Sequence, residues 1–483
     1  MEDLSITQQR QPCSISSDTI VNQARHRFVA IIRRSLQEFI CLPLLVVGAF
    51  LGLFALTYLL DDALWGCPQP APLPWLAHLL GDTAAIASLL SIVASGMITV
   101  TSITFSLLLI AVQQTASTLS THVYDQCIQR RSNQLSFGFF VGLSVFVLLT
   151  LGSANPDHKP IIGALLALLM TGAALCMVVI LIYSTIDQMR PHSVIAAIHD
   201  HTIKARAVDG RMIEGTRRSL RADLSWSQTV RTDAYGVVCG IDLSTIERSA
   251  KEHGAEIEII GHVGTNLAFR DPLFRIHAAQ SPSADALLAL DKAVTAAITI
   301  EPRRTIDSDA GFGIEQLYSI AWTTASTSKQ NPQPAILVCH CLRDIIARWS
   351  RTDTIPENSA SRVVYADRGV DDAILAIAAI GVVASESMQN TLAAEVWRTL
   401  ATLIDDVPGE RLPALIDTVR RLLSSLGDHV LTRDLEEELS RCRRSLESRG
   451  EPEAAEEIRA ATETLAESIG TLNSRGTRVP TSA

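Results

Sequence analysis

Charge is scarce in this chain. Asp, Glu, Lys and Arg make up 19% of its 483 residues, below the roughly 25% of ordinary globular domains. The deficit sits in residues 40–184, which hold nearly all the long apolar runs, whereas residues 185–483 have an ordinary globular composition. That contrast excludes a wholly soluble enzyme and a disordered chain, and nine cysteines in such a length exclude a small disulfide scaffold. Catalytic signatures are lacking as well: there is no P-loop, GxGxxG, HExxH, GxSxG or CxxC pattern. No catalytic residue, metal site or cofactor is therefore assigned, and the balance lies against an enzyme. A basic surplus is also missing. The net charge of −10 makes nucleic acid an unsuitable partner.

What is present are four apolar runs, Ile40–Leu60, Ile86–Val112, Leu135–Leu151 and Ile161–Ser184. A bilayer core about 30 Å thick takes roughly 20 apolar residues as helix. The uncharged run Ile86–Val112 would extend about 40 Å, too long for a typical buried globular helix. The lipid bilayer is thus the first expected partner. Arg25, Arg27, Arg33 and Arg34 precede span one, Arg130 and Arg131 lie between spans two and three, and Arg190, Lys204 and Arg206 follow span four. The outer loops carry only Lys159. This cation bias predicts a multi-pass protein with both termini cytoplasmic. Residues 1–39 form a cytoplasmic N-terminal segment in which Arg25–Ile40 has a basic amphipathic pattern. The run after it is too long for a cleavable signal.

Span two is rich in hydroxyls. Ser88, Ser91, Ser95, Thr99, Ser102 and Ser106 recur every three or four residues, and Gln113 extends the row, so all lie on one helical face. Such a stripe reads either as a helix–helix interface, where small residues permit close approach, or as the wall of a wetted path in an oligomer. No ionisable residue lies within a span core, which argues against a proton relay.

Beyond the spans, residues 185–226 read as a helical connector and 227–276 as a small β module, with strands at Ser227–Asp242 turning at Tyr235-Gly236 and at Glu256–Val263. Residues 277–474 read as a cytoplasmic helical domain, with helices starting near Phe312 and Ala335 and four or five more between 371 and 470. Breaks are expected at Pro408-Gly409, Gly427 and Gly450, and Glu436–Glu438 reads as a solvated face. Residues 475–483 read as a disordered tail. Arg303, Arg304 and Asp309 precede the Phe312 helix. They read as an anion site at a helix N-terminus or as an ion-paired structural turn. Cys339-His340-Cys341 lie on different faces of one helix, so a single metal cannot take all three. The fold class is a mainly α integral membrane protein, with four transmembrane helices, a small cytoplasmic β module and a C-terminal helical domain.

Several segments together resemble a bacterial family of predicted membrane proteins, domain of unknown function (DUF) family 2254. They are Ser95-Gly96-Met97-Ile98-Thr99-Val100, Phe105-Ser106, Arg131-Ser132-Asn133-Gln134, Gly236 through Asp242, Gly261–Phe269, Arg304-Thr305 with Asp309, Phe312-Gly313-Ile314 and Gln316-Leu317. The resemblance covers roughly residues 25–350. It departs where the family tends to carry a Ser-Pro-Gly-x-Asn-Asp-Pro loop, which here runs from Ser326 to Gln330-Asn331-Pro332 without the acid. It implies four spans in the bacterial inner membrane with a cytoplasmic domain, and no established activity. The leading expectation from the sequence is a homo-oligomeric channel or transport-like protein with a cytoplasmic regulatory domain. A membrane-anchored sensor or scaffold without a pore is the alternative, and a tethered enzyme ranks below both.

Overall fold

A computed structural model describes residues 41–65, 82–118, 131–155, 158–188, 190–221, 224–302, 304–306, 309–327, 331–352, 360–426 and 430–468. The expected N-terminal amphipathic segment, the break at Gly427 and the C-terminal tail lie outside them. The chain falls into two compact units, one built on the helices up to Gln188 and one on residues from 189 on.

The first unit contains α1 (Cys41–Trp65), α2 (Thr83–Thr118), α3 (Arg131–Ser153) and α4 (Ile161–Gln188). All four are long and apolar enough to cross a membrane, over Cys41–Ala63, Thr83–Leu107, Asn133–Ser153 and Ile161–Asp187. Helix is the required form for such runs, because it satisfies every backbone polar group within its own segment. The core centres on α3, whose Phe140, Leu143, Phe146 and Val147 are fully buried. Phe50 of α1 packs edge-on against Phe139 at 5.5 Å, and Gly142 lets the Phe50 ring approach α3 closely. At the end of α1, buried Asp61 accepts hydrogen bonds from the backbone N–H groups of Ile162 (2.8 Å) and Gly163 (3.2 Å). One span thereby caps the first turn of another with a carboxylate, where the helix dipole favours negative charge.

The second unit opens with α5 (Pro191–Glu214). Strands β1 (Trp226–Arg231), β2 (Gly236–Ile241), β3 (Glu256–Ile259), β4 (Asn266–Leu267) and β5 (Pro272–Ala278) then follow, with α6 (Leu243–Glu252) inserted after β2. Next come α7 (Ala284–Ala297), β6 (Ile298–Glu301), α8 (Ala310–Thr327), α9 (Gln333–Thr352) and β7 (Val363–Tyr365). Five helices complete the unit: α10 (Gly369–Glu386), α11 (Asn390–Asp406), α12 (Leu412–Ser425), α13 (Arg433–Ser448) and α14 (Pro452–Ser468).

The strands form two sheets, ordered β1-β5-β3-β7 and β4-β2-β6, antiparallel except for the β3–β7 pair. Ile246, Ile257, Phe274, Ile276, Leu290 and Val294 fill the core between the sheets and their helices. The β module therefore reaches past 276. It recruits β6 and β7 from the stretch read as helical, because strands of four and three residues are too short to show a period of two. Its Tyr235-Gly236 turn and the α8 and α9 starts fall close to expectation. Glu438 departs from the solvated face assigned to it. Its carboxylate is buried and accepts from Arg398 Nε at 2.8 Å, because α13 packs against α11 along that side.

Candidate functional site

Within the second unit the end of β7, the loop after β3 and four helices converge on a cavity of about 540 Å³. Helix α5 contributes Arg206 and Asp209, one helical turn apart. The loop after β3 contributes His262, Gly264 and Thr265. The approach to α8 gives Arg304 and Asp309, and α8 itself gives Ile314, Glu315 and Tyr318. Trp349 comes from α9, Tyr365 and Asp367 from the end of β7, and Asp372, Leu375, Ala376 and Ala379 from α10.

The guanidinium groups inside are already paired. Arg206 donates to both carboxylate oxygens of Asp367, at 2.8 and 2.5 Å, and stacks on the Trp349 ring with 4.7 Å to the centroid. This fork-to-fork pairing holds the planar cation rigidly between an acid and an aromatic face. Arg304 donates to Asp309 Oδ2 at 2.8 Å and to Glu315 at 2.5 Å, and it lies 4.8 Å from the Phe312 ring centroid. Asp309 also accepts from the Phe312 backbone N–H at 3.0 Å, so its carboxylate fills the first turn of α8. The Gly264 backbone, at φ +88°, passes against this pair.

The remaining acids behave differently. Asp209 and Asp372 enter none of those ion pairs. Burial pushes Asp209 up to about 6, against the pull of Arg206 and the Ala310 N–H, and the charges of Asp309 and Asp367 add to the rise. Burial also raises Asp372. Burial would raise Asp367 as well, but the hydrogen bonds and charge of Arg206, the Gly369 N–H and the Arg411 charge together outweigh that and hold it below the ordinary carboxylate range. The Tyr365 hydroxyl is pushed up by burial and by the Asp209 charge. The His262 ring lies 5.0 Å from that of Tyr365, and its Nδ1 is 2.6 Å from the Ile260 carbonyl. A carbonyl only accepts, so Nδ1 carries the proton and Nε2 of the neutral ring is an acceptor.

Of the expected site residues here, Arg304 and Asp309 come together and Arg303 lies outside the described residues. Nothing in the sequence pattern marked Arg206, Asp209, His262, Tyr365, Asp367 or Asp372. The nearest signal was the resemblance over Gly261–Phe269, which contains His262 and Gly264. Among the described residues no group of three His, Cys, Asp or Glu side chains could hold a metal ion.

The hydroxyl stripe of α2 is a separate feature in the first unit. Ile86, Leu90, Ala94 and Met97 turn inward and are buried, while Ser88, Ser91, Ser95, Thr99, Ser102, Ser106 and Gln113 are all exposed on the single chain. Thr99 donates back to the Ser95 carbonyl at 2.9 Å and Ser106 to that of Ser102 at 3.0 Å, which lowers the cost of placing them in apolar surroundings. The hydroxyls that do face the bundle are others. Thr101 donates to the Met97 carbonyl and lies 3.4 Å from Ser144 Oγ of α3.

A family model described as Predicted membrane protein (DUF2254) matches residues 37–389, well over half of the chain. No curated protein and no solved structure matches it.

Proposed function

The chain belongs to the DUF2254 family of predicted membrane proteins, and from that premise we propose that it is a membrane-anchored sensor whose C-terminal unit binds a small polar ligand. The observation that carries this reading is the cavity of about 540 Å³, lined by residues from five segments far apart in sequence. Pockets of this size, partly apolar and with a few convergent polar groups, are the usual form of small-molecule sites. In this reading the four spans hold the unit at the bacterial inner membrane, with both termini cytoplasmic as the flanking cations suggest. No reaction is assigned to it.

The test is a thermal-shift screen of the full-length, detergent-solubilised protein against small polar metabolites, run beside Ala379→Phe. Ala379 lines the cavity from α10, and a phenyl ring there would occupy it. At least one compound is expected to stabilise the wild type and to lose its effect in the variant. A screen in which no compound behaves so would overturn the reading.

One observation favours a second reading, the homo-oligomeric channel. The α2 stripe is exposed on the single chain, which is where an oligomer that lined its axis with α2 would need it. Bilayer conductance of purified protein, lost in Ser95→Leu/Thr99→Leu, would support a pore. Equal or absent conductance in both would remove it.

A further inference from the structure

We propose that the cavity of the C-terminal unit takes a small organic ammonium compound with an apolar body, recognised through Asp209. This deepens the sensor reading and rests on it. The inference follows from a charge inventory of the walls. Five carboxylates line the cavity, Asp209, Asp309, Glu315, Asp367 and Asp372, against three guanidiniums, Arg206, Arg304 and Arg368. Both half-buried cations are consumed internally, Arg206 by Asp367 and Arg304 by Asp309 and Glu315. At either of these two an anionic ligand would have to displace a carboxylate, and the exposed third cation, Arg368, already pulls on Asp372. The α8 N-terminus is no alternative anchor for an anion, because Asp309 already accepts the Phe312 N–H.

Several acids and acceptors of the lining lie outside the ion pairs. Asp209 and Asp372 stand outside the ion pairs, and the Nδ1 of His262 is turned to the Ile260 carbonyl, which leaves Nε2 as the acceptor of the ring in its neutral form. An ammonium group supplies three donors and one positive charge. It would satisfy such acceptors and restore the charge balance of a partly desolvated site. The lining also includes the apolar side chains of Ile314, Leu375, Ala376 and Ala379 with the Tyr318 ring, which suit a hydrocarbon or aromatic body. The groups that face Asp209 are Arg206 on its own helix, Asp309 before α8, and Tyr365 and Asp367 at the end of β7. A bound cation favours the ionised form of Asp209. Affinity should thus fall about tenfold between pH 7 and pH 5, across the Asp209 value of about 6.

The probes are phenethylamine and its anionic counterpart of similar shape, 3-phenylpropionate, titrated calorimetrically into the full-length protein in detergent. Phenethylamine is expected to bind, at least tenfold more weakly to Asp209→Asn and not at all to Ala379→Phe, while 3-phenylpropionate does not bind. The Asn variant keeps the shape of the site, and its thermal melt checks that it is folded. Three results would overturn the assignment: preference for the carboxylate, amine binding unchanged by Asp209→Asn, or binding of neither probe. None of them touches the broader sensor reading, which falls only if the metabolite screen finds no compound sensitive to Ala379→Phe.

Discussion

Gly264→Ala probes the geometry at the wall of the cavity. Gly264 has φ +88°, and a Cβ built on it would lie 2.6 Å from Arg304 Nη2 and 2.8 Å from Asp309 Oδ2. Two costs follow. The left-handed backbone costs an Ala about 1 kcal/mol. The overlap must also be relieved, and the atoms in the way belong to the Arg304–Asp309 pair, whose side chains are 15% and 4% exposed. Pushing them apart loses a charge-assisted hydrogen bond worth about 1.5–3 kcal/mol. The sum is about 2.5–4 kcal/mol. Gly254→Ala is the matched control. Gly254 has φ +65° but nothing within 4 Å of its would-be Cβ, so it incurs the backbone cost alone, about 1 kcal/mol. Thermal melting of the full-length protein followed by tryptophan fluorescence should rank wild type above Gly254→Ala, and Gly254→Ala well above Gly264→Ala. Equal melting of the two variants would refute the close passage of the 264 backbone over the ion pair.

Other expectations concern both units. Asp61→Ala removes the acceptor for the Ile162 and Gly163 N–H groups and should cost about 2–3 kcal/mol. Asp61→Asn keeps one acceptor oxygen and should cost less, so a melt of Asp61→Ala equal to wild type would contradict the cross-span cap. Asp209 has a folded value of about 6 against an ordinary 3.8. Its protonated form therefore favours the folded state, and this stability is present below pH 4 and lost as the pH rises through 6. Two pKa units correspond to about 3 kcal/mol, or about 2 kcal/mol after discounting for partial exposure. Asp209→Asn should therefore melt higher than wild type at pH 8 and not at pH 4, and equal melting at pH 8 would show that the burial penalty is absent. If copies meet along α2, Ser95→Cys in a background with Cys41→Ser and Cys176→Ser should form an oxidative dimer in membranes. Its absence there would count against that interface.

How far the sequence could be read depends on the length of each signal. The four spans were legible because uncharged runs of that length have few other uses, and the four or five helices expected between 371 and 470 because most of them, such as Leu412–Ser425 and Arg433–Ser448, alternate apolar and charged residues at helical spacing. Strands β6 and β7 were not legible. At four and three residues they hold too few alternations, and β7 pairs with β3, about a hundred residues earlier in the chain. The cavity was hidden for the same reason. Arg206 and Asp209 sit in a segment read as a connector, and Asp367 acquires its role only when β7 brings it to Arg206. The Arg304–Asp309 pair was local enough to be noticed. Its partners Gly264 and Glu315 explain why it forms a closed ion pair. The hydroxyl stripe was plain from its spacing, but the side of α2 that packs inward is set by Ile86, Leu90, Ala94 and Met97.

The most direct test of the central claim is amide hydrogen–deuterium exchange on the full-length protein in detergent, with and without phenethylamine. Ligand held in the cavity should slow exchange together in three separate peptides, those covering residues 262–265, 309–318 and 365–379, and Ala379→Phe should erase the effect. Unchanged exchange in all three, or protection confined to other segments, would contradict a ligand site at the end of β7.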